Sequence, residues 1–422
     1  MEYDVVVVGG GPSGIFAALS AKINGANVLL IEKNDKLGKK MLISGGGRCN
    51  ITNIAPIDDF IENIPGNGKF LYSALNQYSN NDVIGFFENE LKVKLKVEEY
   101  GKVFPKDNRS KTVLEALEKY LKIIGVEIFF SARAEELIKQ NNMITGIRLT
   151  NGIRINTKAV ILATGGLSYP KTGSTGDGYK MAEQVGHTVT DFFPSSVPLI
   201  SEDFIIKEKL IQGISLSNVE ISLYDNNDKL IKTDNGDIIF THFGLSGPAV
   251  LKISRFVSLL MNKPNKNNFK ISIDIFPNKS REVLLEYLKD LAKVNPNKTV
   301  FNALNGFLPE KIIRIMIDIL NMREMRMYNL NNSGYQGLLE FLKKFTININ
   351  GTRPLSEAFV TGGGINIKEV DPKSFASKII NGLYFVGEIL DIDAYTGGYN
   401  MQISYSTGYV AGESAAHYSL NI

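Results

Sequence analysis

Gly9, Gly11 and Gly14, followed by an acidic residue at Glu32, are the first residues whose types and spacing imply chemistry. Between a strand and a helix, each glycine has its own task. Gly9 allows the tight turn, Gly11 lets a pyrophosphate approach the backbone, and Gly14 lets the helix pack on the strand. Pro12 and Ser13 open the expected helix, whose positive dipole end favours an anion. Glu32 is placed to accept from both hydroxyls of an adenosine ribose, with Lys33 beside it. The bare pattern is weak evidence. Its setting, with a strand before, a helix after and an acid at the next strand end, makes a dinucleotide site the expectation.

Further segments share this glycine-rich texture. Lys40 precedes Ser44-Gly45-Gly46-Gly47-Arg48-Cys49-Asn50, and Thr164-Gly165 and Gly387-Glu388 each end an apolar run. Asp391 and Asp393 lead into Gly397-Gly398-Tyr399-Asn400. Nineteen of the 39 glycines fall in five clusters, 9–14, 45–47, 165–178, 362–364 and 387–408, which marks loops where backbone comes close to a ligand. The amides of Gly397 and Gly398 suit a group that gathers negative charge. A turn rich in glycine and aspartate before the last helix is the competing account. Two aspartates and three histidines are too few to suggest a metal site.

Strands and helices must aim these loops. Tyr3–Val8 is almost wholly apolar, as in a strand buried on both faces. A helix over Ile15–Ile23 and a strand over Asn27–Ile31 complete a βαβ unit. Residues 70–91 read as one amphipathic helix, Lys92–Val97 as a strand and Thr112–Ile123 as a helix. Strands are expected at Glu127–Phe130, Ile144–Leu149, Arg154–Asn156 and Ala159–Ala163, and a short helix at Gly176–Val185. After Asp191, short alternating segments at Val219–Tyr224, Lys229–Thr233, Asp237–Phe240 and Lys270–Ile275 suggest an antiparallel unit. Helical periodicity follows over Ser280–Lys293, Pro309–Leu320 and Tyr335–Lys344, and a closing helix is expected over Gln402–Ser419. The reading is an α/β nucleotide-binding domain of residues 1–191 and 352–422, interrupted by an insertion of 192–351.

One complete fingerprint and a late glycine–acid segment resemble the glutathione-reductase-type FAD fold, with Glu388 where aspartate is commoner. Ser44–Asn53, Gly101–Pro105, Ala163–Gly166, Thr172–Gly178, Thr241–Pro248, Thr361–Gly364 and Gly387–Asn400 make the resemblance more specific. End to end, the chain resembles the BaiN/YhiN-like flavoprotein family, also labelled aminoacetone oxidase family FAD-binding enzymes. This implies a Rossmann-like domain holding non-covalent FAD, an inserted β-barrel-like domain (192–275 and 345–351) and a small helical domain (276–344). The glycine loops, with Lys33, Lys40, Ser44, Arg48, Cys49, Glu388, Asp393, Tyr399 and Asn400, are then the expected cofactor contacts. The resemblance also implies an FAD-dependent oxidoreductase drawing electrons from NADPH or NADH. Reduction of uridine to dihydrouridine in 23S ribosomal RNA is the favoured reaction. Alternatives are reduction of a small enone or steroid-like substrate, amine oxidation of the aminoacetone type with release of peroxide, and a flavin-bearing assembly factor.

Double-bond reduction needs a proton as well as a hydride. Cys49, the single cysteine, sits beside Arg48, and a neighbouring cation favours thiolate or proton donation. Filling space beneath the flavin ring is the weightier account. His242 is the best-placed histidine for proton transfer near neutral pH, set against a loop-anchoring role. His187 is expected to be structural. Tyr169 and Lys171 border the substrate approach or a surface loop.

Composition narrows the remaining classes. The 422 residues are 44% hydrophobic and 22% charged, with 47 basic against 44 acidic side chains. That balance does not announce a nucleic-acid binder. The insertion carries 20 Lys and Arg against 16 Asp and Glu, or +4, with Lys263, Lys266 and Lys270 as its nearest approach to a patch. A lone cysteine excludes an internal disulfide and suits a reducing cytoplasm. No leader pattern opens the sequence, and Lys252 and Arg255 interrupt the apolar run 248–261, so no membrane segment is expected.

Overall fold

Four consecutive valines, Val5 to Val8, have no polar face to offer water and favour extended backbone. In the computed structural model, which describes residues 1–262 and 268–421, they lie at the centre of a sheet. Strand Glu2–Val8 pairs in parallel with Val28–Ile31 on one side and Arg154–Leu162 on the other. Glu127–Phe129 and Leu383–Phe385 extend the parallel set outward. The two compact units of the chain are Met1–Phe193 with Leu355–Ile422, and Pro194–Pro354.

Two strands expected separately, Arg154–Asn156 and Ala159–Ala163, form one strand, Arg154–Leu162. Its first half pairs antiparallel with Met143–Leu149, while its second half belongs to the parallel core. Met143–Leu149 also pairs with Ala134–Gln140. That strand reads Ala-Glu-Glu-Leu-Ile-Lys-Gln, without the alternation that would have announced it.

Helix Pro12–Ile23 packs against Tyr399–Leu420 with almost no space between backbones. A Cβ on Gly408 would strike the Ser13 carbonyl, and one on Gly412 the Ala17 carbonyl. The rings of Phe16 and Tyr405 then pack 4.4 Å apart across the seam. The single helix expected over 70–91 is broken into Tyr72–Gln77 and Asn80–Gly85. Ser79 and Asp82 explain the break: each side chain accepts the other's backbone N–H, a capping box that starts a new helix.

The second unit is a seven-stranded antiparallel sheet. Its order is Phe345–Ile349, Phe269–Asp274, Ser215–Tyr224, Leu230–Phe240, Gly244–Ser246, Leu199–Ile200 and Gly351–Thr352. Leu230–Phe240 joins two expected strands through Gly236, at φ +151°. Helices Arg281–Val294, Glu310–Ile319 and Asn332–Lys343 have no separate core. Leu284, Ile313 and Leu338 share one hydrophobic cluster with Ile221 and Ile271 of the sheet. Lys263 and Lys266 lie outside the described residues, and Lys270 is paired with Asp228 at 2.8 Å. Among the described residues, no helix is long and apolar enough to cross a membrane.

Candidate active site

The three fingerprint glycines answer to different constraints. Gly9 sits at φ +110°, and an added Cβ would strike the Ala163 carbonyl. A Cβ on Gly14 would strike the Gly9 carbonyl oxygen. Gly11 is different: its φ of −80° and ψ of −179° suit any residue, and an added Cβ would meet nothing within 4 Å. The fold needs Gly9 and Gly14 but leaves Gly11 open, which fits a cradle for a bound phosphate. Helix Pro12–Ile23 begins there without a side-chain cap, leaving its first N–H groups for an anion.

Glu32 ends the second strand and is only 7% exposed. One carboxylate oxygen accepts from Gly10 N at 2.8 Å; the other accepts from Asn34 N and Nδ2 at 2.7 Å each. These three bonds use most of the roughly four acceptor positions of a carboxylate and fix its orientation. Lys33 turns away to Asp177 at 2.9 Å, which Arg133 also grips at 2.7 Å.

The glycine segment after Lys40 is wound through left-handed backbone at Gly45, Gly46, Gly47 and Cys49. The Ser44 hydroxyl donates to Met41 O at 2.8 Å. Arg48 stacks its guanidinium 4.0 Å over the Phe104 ring and donates to both Glu98 oxygens at 3.0 and 2.9 Å. In this structure Arg48 therefore staples the loop to a hairpin. Cys49 is wholly buried; burial pushes its thiol up to about 12, against a small opposing effect from the Ser44 hydroxyl. The thiol is neutral at physiological pH.

Asn53, at the end of the Ser44–Asn53 segment and not among the expected cofactor contacts, forms a junction. Its Nδ2 donates to Tyr100 O at 2.9 Å and to Gly397 O at 3.0 Å. Gly398, at φ +102°, abuts Thr52 so closely that a Cβ would strike the Thr52 carbonyl. The Gly397–Gly398 turn and the Ser44–Asn53 segment thus form one wall. Helix Tyr399–Leu420 starts from this turn without a side-chain cap. Asn400 ties the turn internally, donating to Ala394 O at 2.9 Å and Tyr395 O at 3.2 Å. Asp393 is buried against Gly66, and Tyr399 packs edge-on to Phe60 at 4.7 Å.

Lys40 and Glu388 meet at 2.8 Å. Ser168 bonds both, at 2.6 Å to Lys40 Nζ and 3.0 Å to a Glu388 oxygen, and Thr361 N donates to that same oxygen at 2.9 Å. Glu388 therefore spends its carboxylate on the protein, cross-linking four distant chain segments. Sequence reasoning did not single out Ser168, which lies just past Ala163–Gly166. Gly387, at φ +74°, lies against the Ser13 side chain and donates its N–H to Thr407 at 3.0 Å. Gly165 is also left-handed.

Among the described residues, five buried side-chain polar atoms lack a hydrogen-bond partner: Thr164 Oγ1 and Asn50 Oδ1 within these loops, and Ser20 Oγ, Ser258 Oγ and Tyr405 Oη on helices. Buried polar atoms are almost always bonded. Open space over Gly11, uncapped helix starts and the two loop atoms together fit a dinucleotide cofactor lying across the loops.

His242 belongs to the second unit, exposed in the turn between Leu230–Phe240 and Gly244–Ser246, with its ring 4.9 Å from Phe243. His187 is structural: buried, it bonds Ser377 Oγ at 2.7 Å and Glu369 at 3.1 Å. Tyr169 takes left-handed backbone, 6.0 Å from the Phe359 ring, and Lys171 is exposed.

The family model described as HI0933-like protein Rossmann domain matches residues 3–414. The chain belongs to the HI0933-like family. The ribosomal RNA dihydrouridine synthase of Escherichia coli is 30% identical over 98% of both chains. The Haemophilus influenzae protein of the same name is 30% identical over 96% of each. The 3-dehydro-bile acid delta(4,6)-reductase of Clostridium scindens is 30% identical over 97% of this chain and 98% of its own. Among solved structures, a 3-ketosteroid delta1-dehydrogenase from Sterolibacterium denitrificans covers the whole chain at 13% identity and a TM-score of 0.55. The E. coli quinol fumarate reductase subunit does so at 16% and 0.51, over 71% of its own length. At such identities the likeness is one of fold. This HI0933-like chain is an FAD-dependent oxidoreductase.

Proposed function

We propose that this chain saturates an activated carbon–carbon double bond, that its substrate is uridine in 23S ribosomal RNA, and that NADPH or NADH is its transient electron donor. The relationship along nearly the whole chain to two ribosomal RNA dihydrouridine synthases is the observation that carries this reading. Reduced FAD, when bound, supplies a hydride from its N5; the protein must hold it, orient the alkene and deliver a proton. The Gly9–Gly14 loop and the start of helix Pro12–Ile23 would hold the pyrophosphate, and the acceptor position left on Glu32 would take a hydroxyl of the adenosine ribose. The Lys40–Ser168–Glu388 lattice fixes the loop that presents Thr164, whose hydroxyl, with Asn50 Oδ1, is free to bond the cofactor. The amides at Gly397 and Gly398 would offset negative charge on a bound flavin. Cys49, neutral and wholly buried, packs rather than donates.

A small conjugated enone is the second reading, supported by equal identity to the bile-acid reductase. Mass spectrometry of ribosomal RNA from wild-type, deletion and complemented cells decides between them. Dihydrouridine should vanish on deletion and return on complementation; unchanged levels would remove the RNA substrate. Anaerobic flavin reduction tests the reaction class. Fast reduction by aminoacetone, with none by NADPH or NADH, would overturn the reductase reading.

A further inference from the structure

The turn Glu99–Gly101 joins strands Leu95–Val97 and Lys102–Pro105. Tyr100 and Gly101 both take positive φ, +59° and +72°. Tight hairpins fill the first of two such positions with Asn, Asp or Gly, because a larger side chain is strained there. Here it holds a tyrosine that is 72% exposed. No packing gain offsets the strain, so the ring is displayed rather than buried.

Its surroundings are basic. Lys102 Nζ lies 5.2 Å from the Tyr100 ring centroid. Lys94 and Lys106, both exposed, face each other just beyond the paired strands, at the end of the hairpin away from the turn, through the Lys106 N to Lys94 O bond of 2.8 Å. Residues 91–111 hold seven Lys and Arg against three acids. Of those acids, Glu98 is paired with Arg48 and Lys96, while Glu99 and Asp107 keep their charge; of the bases, Lys96 and Lys111 are paired, with Glu98 and Glu115. The turn is also fixed in place. Asn53 Nδ2 bonds both Tyr100 O and Gly397 O, so one side chain joins the displayed ring to the wall of the candidate flavin site.

We infer that this hairpin is a binding surface for single-stranded RNA, with Tyr100 stacking on an unpaired base near the target and Lys94, Lys102 and Lys106 facing the phosphate backbone. Aromatic stacking beside a cationic track is how proteins grip unpaired nucleic acid, and duplex RNA hides the base faces it needs. The inference rests on the RNA reading above and names the surface that reading requires.

Fluorescence anisotropy of a labelled oligouridine on the FAD-loaded protein tests it. Tyr100→Asn relieves the backbone strain, so it should keep its fold and flavin while binding about 5- to 100-fold more weakly. Tyr100→Phe should bind within about twofold of wild type. Lys94→Gln and Lys106→Gln together should lower the slope of log affinity against log salt by about 1.4. Glu99→Gln should tighten binding. Tyr100→Asn binding like wild type, or blunt duplex RNA binding as tightly as oligouridine, would overturn the surface and leave the RNA substrate standing. Wild type failing to bind oligouridine would overturn the surface as well. Loss of dihydrouridine on deletion alongside that result would still leave the substrate assignment intact.

Discussion

Gly11 separates what the fold requires from what a ligand requires. Its backbone is unstrained and the space over it is empty, so Gly11→Val should change stability by less than about 1 kcal/mol while abolishing flavin binding. Absorbance at the flavin bands against protein concentration, beside a thermal melt, reads both; stoichiometric FAD in the variant would refute the cradle. Gly14→Val, whose first carbon collides with backbone, should fail to fold. Cys49 permits a second test at this scale. Burial raises its folded value from near 9 to about 12, so the neutral thiol is favoured in the folded state. The resulting stability is fully present below about pH 9 and is lost as pH rises towards 12. At mildly alkaline pH, iodoacetamide should label the thiol in guanidinium chloride but not in the native protein. Rapid native labelling would contradict the burial. The fingerprint was legible because its residues act locally. Glu388 was harder to read, because its carboxylate is occupied by Lys40, Ser168 and Thr361, far away in sequence.

Elements were legible where the apolar signal was unbroken or periodic. The valine strand, the first helix and the alternating strands of the second unit follow the apolar pattern. The helix over 70–91 was misread because Ser79 and Asp82 cap a second helix inside a continuous amphipathic pattern. Ala134–Gln140 escaped notice because tertiary pairing, not side-chain alternation, holds it. His187 gives a testable junction between elements. Burial depresses its folded-state value, against the pull of Glu369, so its contribution is present above about pH 6.5 and lost as pH falls. His187→Phe should cost about 1 kcal/mol at neutral pH, since Ser377 and Glu369 each lose one partner but keep their bonds to Ile379 N, Ile380 N and Thr188 N, yet show a shallower fall in Tm between about pH 7 and 5. An identical pH slope would show that His187 does not carry the acid sensitivity.

At the scale of the whole molecule, every expected cofactor contact lies in Met1–Phe193 or Leu355–Ile422; His242 alone lies in Pro194–Pro354. Adding FAD to flavin-depleted protein should therefore slow hydrogen exchange around 9–14, 44–53 and 387–400, with no protection across the sheet of the second unit. Protection centred on residues 199–274 would place the cofactor elsewhere. The packing of Pro12–Ile23 on Tyr399–Leu420 also has a consequence in time. During synthesis the ribosome delivers residues 194–354, with a hydrophobic cluster of their own, well before the glycine-faced helix that the first helix awaits. The phosphate loop is thus made before that unit and completed only after it, so capture of flavin by a growing chain should wait until that late helix emerges.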